Sequence, residues 1–155
     1  MDDWILAQDD PRRTDVLTLL ERHLDFARTV TPPEDVHALD LDGLLDESVT
    51  LFSLREKGAL LGIGAMKTLD GSHMELKSIH TAAEARGRGV GRTIVDHLVS
   101  VARSKGATRV SLETGSMPEF APSRALYARA GFVECGPFAE YSGSRNSTFM
   151  TLDLH

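Results

Sequence analysis

The sequence predicts an α/β fold of the mixed (α+β) kind, with helices sandwiching one mostly antiparallel sheet. Three observations predict it. Apolar residues follow a helical period at first, a strand period from Val49, and both in alternation thereafter. Turn residues separate these segments at short intervals, and no linker, repeat or low-complexity stretch intervenes. The length of 155 residues suits one domain, expected over residues 1–155, with a core that needs neither disulfide nor metal.

Trp4 to Ala7 reads as a short first strand. Asp10-Pro11 reads as an N-cap followed by proline at the first helical position. Val16, Leu17, Leu20, Leu24 and Ala27 then recur at helical spacing, so a helix is expected over residues 11–28, stopped by Thr31-Pro32-Pro33. A weaker helical pattern covers residues 34–45. Val49 to Leu54 and Ala59 to Lys67 read as a hairpin turning at Glu56-Lys57-Gly58, and Asp70-Gly71 precedes a strand from Met74 to His80. Within that hairpin, Gly62-Ile63-Gly64 marks a bulge or a tight packing site.

Val90, Ile94, Val95, Leu98, Val99 and Ala102 form one stripe of a long helix, which Gly106 ends as a C′ glycine. Thr108, Val110 and Leu112 alternate with Arg109, Ser111 and Glu113, a half-buried strand. Pro122 to Ala130 is a short helix closed by Gly131, and Phe132-Val133 and Ser147 to Leu154 are final strands. The expected order is β-α-α-β-β-β-α-β-α-β-β.

Seventeen Lys and Arg against 23 Asp and Glu give a net charge of −6, which disfavours general binding to nucleic acid or anionic membrane. No apolar run approaches the roughly 18 residues of a membrane span. Met1-Asp2-Asp3-Trp4 is acidic where a signal peptide is basic. Cys135 is the single cysteine, which excludes an intramolecular disulfide and a Cys-rich zinc site; it reads as a small buried residue. No His or carboxylate spacing suggests a ligand set, so no metal is expected. A reduced, cytoplasmic protein follows as the expectation.

The most informative segment is Arg86-Gly87-Arg88-Gly89-Val90-Gly91-Arg92, between a strand and a helix. Glycines let the backbone approach a ligand closely. The free N–H groups of the helix's first turn and its dipole favour an anion there. Arginines beside it suit a phosphate or pyrophosphate, and a merely flexible turn is the alternative. The glycine spacing fits neither a P-loop nor a dinucleotide-binding fingerprint.

Arg86-x-x-Gly89-x-Gly91 resembles the (Gln/Arg)-x-x-Gly-x-(Gly/Ala) signature of the GNAT superfamily, the acetyl-CoA-dependent N-acetyltransferases. Leu126-Tyr127-Ala128-Arg129-Ala130-Gly131-Phe132 is similar to that family's later Leu-Tyr-x-x-x-Gly-Phe motif. The resemblance spans nearly the whole chain. Pro32-Pro33-Glu34-x-x-His37-Ala38-Leu39, Leu112-Glu113-Thr114-Gly115-Ser116-Met117 and Pro137-Phe138-x-x-Tyr141 resemble a subgroup of small bacterial members.

The resemblance implies a sheet splayed where acetyl-CoA binds, interrupted near residues 78–80 and near Thr114, with helices on both faces. It implies that the backbone of Arg86, Gly87, Arg88, Gly89, Val90, Gly91 and Arg92 cradles the CoA pyrophosphate, with the Thr93 hydroxyl beside it. It implies that backbone groups of Ile79 and Thr81 bond the pantetheine arm. Tyr127 would be the general acid, a phenol that stays protonated at neutral pH. Glu75 is the first candidate for the base that deprotonates the attacking amine, with Glu113 and His80 behind it.

Phe120 stands where the family often has an asparagine contacting CoA, so that contact is missing; Ser123 or Arg124 are the candidate substitutes. Arg88, Arg124 and Arg129 are candidates for the 3′-phosphate. Glu34, Asp35, His37, Asp40, Asp42, Glu140 and Tyr141 fall where the family meets its acceptor, and carboxylates there suit a cationic small-molecule or peptide amine; a solvated acidic surface is the alternative. His23 and His37 read as ordinary helix residues. A homodimer is expected through the terminal strands. The second function class consistent with the glycine turn is an acyl-CoA-binding regulatory module without turnover.

Overall fold

A computed structural model describes residues 3–154; Met1, Asp2 and His155, at the ends of the expected domain, lie outside the described residues. The strands are β1 (Trp4–Gln8), β2 (Val49–Glu56), β3 (Ala59–Thr68), β4 (His73–Thr81), β5 (Arg109–Gly115), β6 (Val133–Cys135) and β7 (Ser147–Asp153). The helices are α1 (Thr14–Val30), α2 (Leu41–Leu44), α3 (Val90–Ser104) and α4 (Ala121–Arg129). The strands form one sheet in the order β1-β2-β3-β4-β5-β7-β6.

Among the described residues only β4 and β5 pair in parallel, from His73 with Arg109 to Leu76 with Leu112. Beyond that point β4 continues to Thr81 and β5 to Gly115 without pairing each other. The sheet therefore opens at Lys77 and Glu113, next to the positions expected from the resemblance. On its other edge β4 stays paired to β3, as far as Thr81 with Gly62.

That pairing contains a bulge. Lys77 pairs with Ala65, yet His80 pairs with Ile63, and Ser78 between them has φ +57°. One extra residue in β4 thus puts Lys77 and His80 on the same face although they are three positions apart. The His80 side meets α1, where its ring contacts His23. On the opposite face a Cβ at Gly62 would come within 2.8 Å of Val90, and one at Gly64 within 2.6 Å of Ile94. These two glycines let α3 lie close against β3, so the Gly62-Ile63-Gly64 segment is the tight packing site, and the bulge lies opposite it in β4 at Ser78. Helices accordingly cover both faces. Ile94, Val95, Leu98 and Val110 are fully buried between sheet and α3, and Ile63 is fully buried on the opposite face, each such side chain contributing about 1.5–3 kcal/mol relative to exposure.

Three boundaries depart from the sequence expectation. α1 begins at Thr14, because the Asp10 carboxylate accepts from the Arg12 backbone N–H at 2.9 Å and folds residues 10–13 into a separate turn. The helix expected over 34–45 is replaced by a 3₁₀ turn (Pro33–Asp35) and the single turn of α2, whose Asp40 side chain accepts from the Gly43 N–H at 2.9 Å. Pro32-Pro33 removes two donors there, and Asp40, Asp42 and Gly43 favour caps over helix interior. Strand β6 starts at Val133, since Phe132 is buried and its N–H closes α4 on the Tyr127 carbonyl. The C′ glycines behave as expected: Gly106 has φ +88° and Gly131 φ +101°. Cys135 lies half-buried on the β6 edge rather than in the core. No helix among the described residues is long and apolar enough to cross a membrane.

Candidate active site

Strand β4 carries the site in order along its length. At its start, His73 and Glu75 line an outer pocket of about 850 Å³ closed by Asp35, His37 and the loop around Tyr141. In its middle, residues from Leu76 to Ile79 face Glu113, Thr114 and Gly115 across the gap between the splayed strands, with Tyr127 beside them. This junction holds about 90 Å³. At its end, Ile79, His80 and Thr81 line a channel of about 380 Å³ that runs to Arg86 and Gly91. Asp35 and His37 line both the outer pocket and the junction; Ile79, Phe120, Ser123 and Tyr127 line both the junction and the channel. The three spaces form one corridor.

At the channel end, Gly87 and Gly89 both have φ +82°, a conformation that glycine adopts without strain. Gly89 is the N-cap of α3, and no side chain caps the helix. Its first-turn N–H groups are left to a ligand or solvent. Gly91 faces Leu126 at 3.1 Å and Thr81 at 3.7 Å from its ideal Cβ position. Thr93 donates its hydroxyl to the Gly89 carbonyl at 2.9 Å. Arg86 lines the channel. Arg88 instead pairs with Glu56 at 2.8 Å and lies over Trp4, and Arg92 pairs with Asp96 at 2.9 Å. From Lys77 to Thr81 the β5-facing edge of β4 has no strand partner among the described residues, so the backbone of Ile79 and Thr81 is open to the gap.

Phe120 packs edge-on to Phe26 at 5.2 Å and covers Gly115, where a Cβ would meet its ring at 2.2 Å. Arg124 donates to the carbonyls of Gly115 (2.6 Å) and Met117 (3.0 Å). Its guanidinium holds the end of β5, and Arg124 does not line the channel, whereas Ser123 does. Arg129 is exposed, its carbonyl accepting from Arg92.

At the junction, burial pushes the Glu113 carboxyl up to about 7, opposed first by the Ser147 hydroxyl and then by the Lys77 ammonium, and reinforced by the Glu75 and Asp35 carboxylates. Burial, with the Glu113 charge adding to it, also holds the Tyr127 phenol above its ordinary range. Glu75 is placed differently. It is buried, ion-paired with Lys77 at 3.3 Å, and accepts a hydrogen bond from the Tyr141 hydroxyl. Lys77 also donates to Tyr141 at 2.7 Å. His80 and His23 meet at 3.2 Å between Nδ1 atoms, and burial pushes both down to about 4, so both are neutral at pH 7. The outer loop is fastened by Asp35, which accepts from Ser144 (3.0 Å) and Asn146 (2.9 Å). Asp40 caps α2, and Asp40 and Asp42 line none of the three spaces.

Lys77 is the residue that sequence reasoning missed. The alternation Glu75-x-Lys77 was a usable signal that both face one side of a strand. Their partner Tyr141 is 64 positions from Lys77, and no local pattern announces that contact.

A family profile described as "Acetyltransferase (GNAT) family" matches residues 15–132. The chain belongs to this family. YsnE of Bacillus subtilis, described as an uncharacterized N-acetyltransferase, is 42% identical over 146 residues, covering 94% of this chain and 97% of the relative. YedL of Escherichia coli, described in the same words, is 40% identical over 97% of this chain and 95% of the relative. Among solved structures, a Bacillus subtilis acetyltransferase in complex with CoA superposes with a TM-score of 0.75 at 16% identity, covering 98% of this chain and 99% of that one. This acyltransferase thus shares the family's fold, and its sequence relatives match it nearly end to end.

Proposed function

We propose that this acetyltransferase moves the acetyl group of acetyl-CoA to a primary amine of a small molecule or peptide, by direct attack in a ternary complex. The single observation that carries the reading is the junction itself. An open strand edge, a carboxyl near neutrality and a protonated phenol meet there, between a glycine-cradled helix N-terminus and a separate outer pocket.

The residues present fit the nucleotide. The uncapped start of α3 and the positive-φ glycines offer N–H groups to a pyrophosphate. The channel leads from there along the open backbone of Ile79 and Thr81, which suits an amide-bearing arm. Bound acetyl-CoA supplies an activated acyl carbon. Everything else falls to the chain. The Glu113 carboxylate takes the proton that the attacking ammonium sheds, and its position near pH 7 suits that exchange. The Tyr127 hydroxyl gives its proton to the sulfur as the carbon–sulfur bond breaks. The amide nitrogen keeps one of the ammonium's three protons, so a second proton leaves to solvent as the net proton of the reaction, and return of the Glu113 proton to the Tyr127 phenolate restores both groups. Glu75 is committed to Lys77 and Tyr141, so the geometry favours Glu113 over Glu75 for the base. Carboxylates of Glu34, Asp35, Asp70 and Glu140 around the outer pocket favour a cationic acceptor.

The test is release of CoA thiol from acetyl-CoA over a panel of amines, amino sugars and short peptides, with Tyr127→Phe alongside. Turnover with at least one amine is expected, and Tyr127→Phe lowers kcat roughly 100-fold with acetyl-CoA affinity unchanged. Tight acetyl-CoA binding with silence across the panel would instead support a binding module without turnover.

A further inference from the structure

We propose that Lys77 is a positioning residue: clamped by Glu75 and Tyr141 at the edge of the junction, its ammonium sets the charge that Glu113 meets and so sets when Glu113 gives up its proton. This rests on the reading of Glu113 as proton acceptor.

The geometry is that of a device rather than of a simple anchor. Both charged side chains are buried, Lys77 with 9% and Glu75 with 3% of the side chain exposed. A buried ion pair is a weak source of stability, because desolvation offsets its attraction. Two of the three Lys77 donors are accounted for, by Glu75 and by Tyr141. The Tyr141 hydroxyl accepts from Lys77 and donates to Glu75, which closes the three into a ring of contacts. Its aromatic ring is in turn wedged against His37, Phe138 and Phe149. Lys77 is therefore fixed, and it lines the junction with Glu113 and Tyr127.

Glu113 is faced by Glu75 and Lys77 from β4, by His23 from α1, by Asp35 and His37 from the segment after α1, by Tyr127 from α4, by Tyr141 from the β6–β7 loop and by the Ser147 hydroxyl from β7; burial holds both histidines below their ordinary range, so both are neutral at pH 7. Among these, only Lys77 is positive. Intact, the Glu75–Lys77 pair presents Glu113 with charges that largely cancel. Removing either member leaves one uncompensated charge of known sign. Lys77→Met leaves the Glu75 anion, which holds the proton on Glu113. Glu75→Gln leaves the Lys77 cation, which draws it off. The two changes act in opposite directions, and the double change cancels.

The experiment follows the Glu113 carboxyl carbon by ¹³C NMR against pH in the ligand-free protein, and kcat/KM against pH in the same variants. Lys77→Met is expected to move the Glu113 titration up by on the order of one pH unit, and Glu75→Gln to move it down by a similar amount. The double variant returns close to wild type, and Lys77→Arg, which keeps the charge, stays near it. The acidic limb of kcat/KM moves in parallel. Lys77→Met leaves a buried anion and is the variant most prone to misfold; Glu75→Gln and the double variant carry the test without it. Glu75→Gln leaving the Glu113 titration unmoved, or both single changes moving it the same way, would overturn the proposal. Glu75→Gln without activity at any pH would overturn it too, by making Glu75 the base. Glu113→Gln tests the underlying reading separately. Full activity there removes Glu113 as the base, whereas opposite shifts of its resonance establish the electrostatic tie on their own.

Discussion

The α3 end of the corridor and the outer end are made differently. At α3 the features that face the site belong to the main chain: two glycines at positive φ, an uncapped helix start, and a strand edge without a partner. At the outer end they belong to side chains drawn from distant segments. Asp35 fastens Ser144 and Asn146, and Glu75 and Lys77 hold Tyr141. Main-chain recognition tolerates many sequences and asks only for backbone geometry. Side-chain recognition depends on each residue and on loops that can be exchanged. The first kind suits a ligand common to many proteins, and the second suits one that differs between them.

Three substitutions probe that contrast. The largest effect is expected at the junction, where the two ends meet. Burial raises the Glu113 carboxyl to about 7 in the folded chain, against an ordinary glutamate near 4.3. A raised carboxyl contributes most at low pH, and that contribution is lost as pH rises through the folded value. Glu113→Gln stays neutral throughout. Its stability relative to wild type therefore grows by about 3 kcal/mol between pH 4 and pH 8. Urea unfolding at the two pH values reads this directly; a constant difference would mean that Glu113 titrates as an ordinary surface group.

The next effect belongs to the main-chain end. Ala at Gly89 meets nothing within 4 Å, so only the φ of +82° resists it. Gly89→Ala should cost about 1 kcal/mol and weaken CoA binding roughly fivefold if the turn relaxes to escape the strain. Calorimetry with CoA checks it, with acceptor KM expected to hold steady. The smallest effect lies at the side-chain end. Asp35→Ala frees Ser144 and Asn146 and should raise acceptor KM by a few-fold while leaving CoA affinity alone. If Gly89→Ala moved acceptor KM instead, or Asp35→Ala moved CoA affinity, the two ends would not be separable.

The same contrast explains what the sequence made legible. The glycine turn, the stripe of α3 and the C′ glycines depend on neighbours within a few positions, and all lie where local pattern put them. The splay near Ile79 was expected from family resemblance and opens at Lys77. Helix 34–45 failed because prolines and aspartates outweighed a weak apolar period. The three-way contact of Glu75, Lys77 and Tyr141 crosses 66 positions and carried no local signal. Glu113 stood in the sequence as a base candidate behind Glu75, on a half-buried strand; its raised carboxyl appears only once the folded chain buries it.

Ser78 shows how much one residue can do. Without its extra step, β4 would alternate evenly past Lys77, bringing Ile79 to the face of α1 and turning His80 toward Gly64 and Ile94. An imidazole would then stand in the apolar layer, and the Ile79 side chain would leave its place against Gly64 for the α1 face. The bulge acts as a shift of reading frame in space, dividing one strand into a phase that serves chemistry and a phase that serves packing. Deleting that single position would exchange the two for every residue beyond it.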